Sequence, residues 1–118
     1  MKENNAIQTK SYLFALRIVK LCKWLADQKR ETTLSKQLLR SGTSVGANVE
    51  EAIGAQSKKE FAAKIRISYK EARETYFWLR LLQDTGYLSI QQCSSIRKDC
   101  EELLKILTSI LKTMQSSH

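Results

Sequence analysis

From Cys93 to Met114 the apolar residues fall at Cys93, Ile96, Cys100, Leu103, Leu107, Ile110 and Met114, in alternating steps of three and four. Apolar positions in that register make one stripe along a helix, and the stripe is stable only when other helices cover it. Leu104 and Leu111 add a second apolar row, while Arg97, Lys98, Asp99, Glu101 and Glu102 fall on the polar side. This helix needs partners, and the rest of the chain supplies three. No proline interrupts any of them.

The first partner is predicted over residues 5–29, with Ile7, Phe14, Ile18, Leu21 and Leu25 as its inward row. Tyr12, Ala15, Val19, Cys22 and Ala26 form a second row, wider than one core seam needs, which fits either a deeply set helix or a contact with another subunit. A short polar connection follows, in which Thr32 or Thr33 is expected to cap a second helix over 34–54. Gly54 is expected to end that helix in a left-handed conformation. Ser57 and Glu60 have the spacing of a capping box for a third helix, 58–84. Its inward row is Phe61, Ile65, Ser68, Ala72, Thr75, Leu79 and Leu82, and it stops at Gly86. Ser89 and Gln92 repeat the cap for the fourth helix, 90–114, beyond which Gln115 to His118 should fray. Connections this short join antiparallel neighbours. The predicted fold is all-α, a single up-down-up-down antiparallel four-helix bundle over residues 1–118.

Gly42 and Gly46 interrupt the second helix, and each costs a helix interior about 1 kcal/mol relative to alanine. Four residues apart, they share a face and let a neighbouring backbone come close. A phosphate-binding loop is the competing reading of Gly-Thr-Ser-Val-Gly; it lacks the following Gly-Lys-Ser/Thr and a preceding strand. Ser41, Ser44 and Asn48 place polar groups on or near the apolar rows, where they must find partners. Glu51 is placed to pair with a base on the third helix.

Lysine and arginine number 20 against 12 aspartate and glutamate, a formal charge of +8. That excess suits polyanions, nucleic acid first and an acidic membrane or acidic protein next, and it fits equally a merely solvated basic surface. Lys59, Arg66, Lys70, Arg73 and Arg80 recur at steps of seven, four, three and seven, one stripe on the third helix. At 1.5 Å per residue it is about 30 Å long. Tyr69 and Tyr76 lie beside it, in reach of bases or of the arginine stems. Glu71 and Glu74 intersperse it, and Lys70 and Glu74 are spaced as an ion pair. Arg17, Lys20 and Lys23 on the first helix could extend the basic surface in an assembly.

Cys22, Cys93 and Cys100 fall at apolar helical positions with no CxxC pair, where cysteine acts as a small hydrophobe. An odd cysteine count, no apolar leader after Met1 and no run long enough to span a membrane lead us to expect a cytoplasmic protein. The one histidine, His118, excludes the Glu-x-x-His pairs of a di-metal bundle. A cysteine nucleophile lacks a nearby base. We therefore expect no enzyme, no metal and no cofactor.

Three segments carry a resemblance: Leu38 to Ala52, Ser57 to Phe61, and Lys70 to Leu79. Together they resemble the bacterial family of small proteins named for the open reading frame in 23S ribosomal RNA intervening sequences. They are also similar to the accessory variability protein of diversity-generating retroelements. The resemblance implies a four-helix bundle assembled as a homopentamer. For the retroelement relatives it implies nucleic-acid binding and a reverse transcriptase partner. Ser44, Asn48, Glu51, Glu60 and Phe61 match the family pattern, and Ala52 stands where many relatives place glycine. No catalytic residue is carried over. The leading expectation is RNA or DNA binding through phosphate contacts with little base specificity. The alternative is a scaffold that docks a partner enzyme.

Overall fold

The computed structural model describes residues 2–116. Four helices follow in order: α1 (Lys2–Gln28), α2 (Thr33–Ile53), α3 (Lys58–Asp84) and α4 (Ile90–Ser116). The bundle measures 48 × 21 × 19 Å. Each helix packs on its two neighbours, and α1 closes the square against α4, diagonally across the core from α3. Cross-helix bonds run in opposite chain directions at every seam, so all four neighbours are antiparallel. Gln8 meets Glu50 while Cys22 meets Ser35. Lys64 meets Glu51 while Thr75 meets Ser41. Cys93 meets Leu79 and Cys100 meets Ala72. Across the last seam Lys10 meets Glu102 and Arg17 meets Asp99.

The expected stripes are the core. Ile7, Phe14, Ile18 and Leu25 of α1 meet Leu38, Val45 and Val49 of α2, Ile65, Leu79 and Leu82 of α3, and the α4 heptad from Cys93 to Ile110. Leu104 and Leu111, the second row of α4, also pack on this core. The second row of α1 divides. Cys22 is buried, whereas Tyr12 is 63% exposed and Val19 40%. Leu13 and Leu16 are exposed as well. The helix α4 continues through Gln115 and Ser116, which were expected to fray; Ser117 and His118 lie outside the described residues.

The glycines do what their spacing suggested. A Cβ on Gly42 would come 2.8 Å from Cγ1 and Cγ2 of Ile18, and one on Gly46 would come 3.2 Å from the Ser11 carbonyl oxygen. Their lack of side chains brings α1 and α2 together. Along the α2/α3 seam the buried hydroxyls are paired: Ser68 donates to the Val45 carbonyl at 2.8 Å, and the hydroxyls of Ser41 and Thr75 lie 3.0 Å apart. These bonds favour one register, because a shift of one turn would leave Ser68 buried without its Val45 partner and Thr75 and Ser41 with only the carbonyls of their own helices.

Three helix ends differ from expectation. Neither threonine caps α2. The Glu31 carboxylate does, accepting from Leu34 N at 2.8 Å and Ser35 N at 2.9 Å. Thr32 at φ −124°, ψ −14° makes no side-chain cap bond, whereas the longer, ionised Glu31 reaches past it to the positive end of the helix. Gly54 has φ −86° rather than a left-handed conformation: its N–H still donates to Glu50 O at 3.2 Å, and Ala55 N closes a tighter turn on Ala52 O at 3.0 Å. The left-handed residues are Gly86 (φ 86°) and, unexpectedly, Arg30 (φ 53°). Gly86 closes a Schellman turn, with Tyr87 N donating to Leu82 O and Gly86 N to Gln83 O, whereas at Arg30 both Lys29 N and Glu31 N donate to Leu25 O. At the start of α3, Ser57 Oγ accepts from Glu60 N as expected, but the Glu60 carboxylate answers to Gln56 N. The Ser89–Gln92 box closes in both directions.

Candidate nucleic-acid interface

The core row of α3 faces inward, so residues on the opposite side of that helix form an outer corner of the bundle. Lys59, Arg66, Lys70, Arg73 and Arg80 are all exposed there. None has an ion-pair partner among the described residues. A guanidinium or ammonium in that state is free to meet phosphate without first giving up a carboxylate.

The acids that sequence alone placed among them are turned away. Glu71 and Glu74 point across the α2/α3 seam, where Arg40 binds both carboxylates. Glu74 also accepts from Trp78 Nε1 at 2.9 Å. The expected Lys70–Glu74 pair does not form, because the α2 arginine and the indole together outcompete a flexible lysine on the same helix. Glu51 and Lys64, as anticipated, meet at 2.8 Å, and that contact holds the Lys64 pKa above its ordinary value. The face left to α3's cations therefore carries less negative charge than its sequence suggests.

The flanking aromatics divide. Tyr76 is engaged: its hydroxyl accepts from Arg97 Nη2 at 3.0 Å, and the Arg97 guanidinium lies over its ring at 5.2 Å. Tyr69 lies against the core at the edge of an open groove of about 560 Å³ between α3 and the C-terminal half of α4. Phe77, one turn from Arg73 and 52% exposed, stands within the cation stripe with its ring edge-on to Trp78 at 5.0 Å. The cation spacing along α3 did not single out Phe77, although its position coincides with the charges. Lys105 and Lys112, which line the groove, were also missed; a charge spacing read along one helix does not show what an adjacent helix contributes.

The α1 cations are elsewhere. Arg17 pairs with Asp99 of α4, while Lys20 and Lys23 are exposed. Because α1 and α3 occupy opposite corners of the square, these three do not join the α3 stripe within one chain.

The cysteines offer no nucleophile. Each thiol is buried and donates across a seam to a carbonyl, Ser35, Leu79 and Ala72 respectively, at 3.3–3.4 Å. Burial raises all three pKa values, that of Cys22 to about 11 and that of Cys100 to about 12. The family-pattern residues serve structure as well: Ser44 donates to the Arg40 carbonyl, Asn48 to the Ser44 carbonyl, and Phe61 packs on the core. Among the described residues, no helix is long and apolar enough to cross a membrane.

Comparison with known proteins agrees with this architecture. No curated protein matches the chain. A crystal structure of a protein of unknown function from the S23 ribosomal protein family of Bacteroides thetaiotaomicron VPI-5482 superposes with a TM-score of 0.92 at 48% identity, covering 93% of this chain and 98% of that one. The family model described as 23S rRNA-intervening sequence protein matches residues 3–109, so the chain belongs to that family.

Proposed function

We propose that this bundle binds nucleic acid, RNA or DNA, through phosphate contacts on the outer face of α3, with little base specificity. One observation carries the reading: the exposed cations Lys59, Arg66, Lys70, Arg73 and Arg80 have no ion-pair partner among the described residues, while Glu71 and Glu74 of the same helix are held on its α2 side by Arg40. A charge excess of +8 acts in the same direction. Phosphate contacts position a polymer without reading its sequence, and nothing on this face presents a side-chain set arranged for base edges. The test is affinity across a salt series for single- and double-stranded RNA and DNA. Changing Arg66, Lys70 and Arg73 to glutamine should flatten the plot of log affinity against log salt by roughly 2–3, at ~0.7–0.9 per lost contact. An unchanged slope removes the stripe from the reading.

The exposed row Tyr12, Leu13, Leu16 and Val19 on α1 favours a second element of the proposal, self-association of the chain. Contiguous apolar surface at this density is characteristic of interaction faces. Sedimentation of the wild type beside a Leu16→Glu/Val19→Glu variant tests it: a single monomeric species for both refutes self-association through α1. In an assembly built on that face, Lys20 and Lys23 would lie at the rim of the contact.

A further inference from the structure

We propose that the groove between the middle of α3 and the C-terminal half of α4 seats a single-stranded polynucleotide segment, an inference that rests on the nucleic-acid reading above. The groove is lined by Arg73 from one helix and by Lys105 and Lys112 from the other, with Tyr69 among its apolar residues. Among the described residues, no aspartate or glutamate lines it. The nearby acids of α3 are engaged elsewhere, Glu71 by Arg40 of α2 and Glu60 by Gln56 N, and Leu103–Ser116 of α4 contains no aspartate or glutamate. The acids of α4 sit in its other half, where Asp99 and Glu102 are bound by Arg17 and Lys10 of α1.

Shape narrows the polymer. Its volume, about 560 Å³, is that of a small-molecule site, and it is open along its length. Lys105 and Lys112, seven residues apart, are separated by about 10 Å along α4, so a backbone lying along the groove can meet both. A duplex is a stiff cylinder whose bases are stacked inward. It can lie across the ridge of α3, but it cannot bend one backbone into a recess between two helices. A single strand can, and its unstacked bases then reach Tyr69 in the groove and Phe77 on the adjoining ridge. A charged channel with flanking aromatic rings is the arrangement by which proteins hold single strands without reading sequence. Arg73 belongs to both groove and stripe, so a strand leaving the groove passes directly onto the outer cations.

The test compares wild type with Lys105→Gln/Lys112→Gln, by anisotropy of labelled twelve-residue oligouridylate, oligothymidylate and a duplex of equal length. Loss of two contacts should weaken single-strand binding roughly 20-fold at 0.1 M salt and lower the salt slope by about 1.4. Duplex affinity should change less than about twofold, since the ridge is intact. Tyr69→Leu, which keeps apolar bulk on the core, should weaken the single strands alone. Whichever of uridylate or thymidylate binds more tightly identifies RNA or DNA as the preferred strand. Single-strand affinity equal to wild type, or an equal loss on strand and duplex, overturns the groove. If the Arg66/Lys70/Arg73 variant is impaired while Lys105→Gln/Lys112→Gln is not, the groove fails and the stripe stands. A wild type that binds none of the three polymers overturns both.

Discussion

Replacing Gly42 with alanine separates two opposed effects. Alanine inside a helix is favoured over glycine by about 1 kcal/mol. The added Cβ, however, would lie 2.8 Å from both Cγ atoms of Ile18 and 3.1 Å from its Cδ1, where carbon atoms prefer about 3.5–4.0 Å. Ile18 is wholly buried and β-branched, with one strongly preferred rotamer in a helix. Both Cγ atoms are fixed to its Cβ, so no rotation clears them and α1 must move off α2. Overpacking of this kind costs about 1–3 kcal/mol. The net expectation is destabilisation by about 1 kcal/mol, a fall in melting temperature of roughly 3–6 °C for a chain of this length. In an Ile18→Ala background the opposing atoms are gone, and Gly42→Ala should instead stabilise by about 1 kcal/mol. The two mutations would then couple by about 2 kcal/mol. Urea unfolding of the four proteins at one fixed concentration measures this. A stabilising Gly42→Ala in the wild-type background, or the same effect in both backgrounds, would refute close approach as the reason for the glycine.

Other expectations concern helix ends and thiols. Glu31→Ala should destabilise by about 1–2 kcal/mol through loss of the α2 cap, whereas Thr32→Ala should change stability by less than about 0.5 kcal/mol; equal effects in thermal unfolding would reject the carboxylate cap. Arg30→Gly should raise stability by about 1 kcal/mol, because glycine holds the left-handed conformation without the Cβ clash. A lower melting temperature would mean that the Arg30 side chain contributes more than its backbone strain removes. The buried Cys100 thiol ionises near 9.0 when unfolded and at about 12 when folded. The folded chain therefore binds the proton more tightly, and this contribution is full below pH 9.0 and declines as pH rises toward 12. Wild type should lose stability relative to Cys100→Ala by up to ~1.4 kcal/mol per pH unit in that window; parallel stability curves would contradict the burial of the thiol.

Sequence by itself determined the helices, their order and most of the core. Local periodicity is a property of neighbouring residues, so the Cys93–Met114 heptad and the Ser57 and Ser89 caps could be read directly. It also marked Gly42 and Gly46 as a close approach, because two glycines in one helix face need a cause. Tertiary structure decided what depends on more than one helix. It turned Glu71 and Glu74 toward Arg40, which cleared the face of α3, and it set Lys105 and Lys112 beside Arg73. It replaced the threonine cap by Glu31, since a cap is chosen by reach and backbone angle as well as by residue type. And it placed α1 diagonally opposite α3, which keeps Arg17, Lys20 and Lys23 off the α3 stripe within one chain. Charge composition is fixed by the sequence, but the surface on which those charges meet is fixed only when the helices pack.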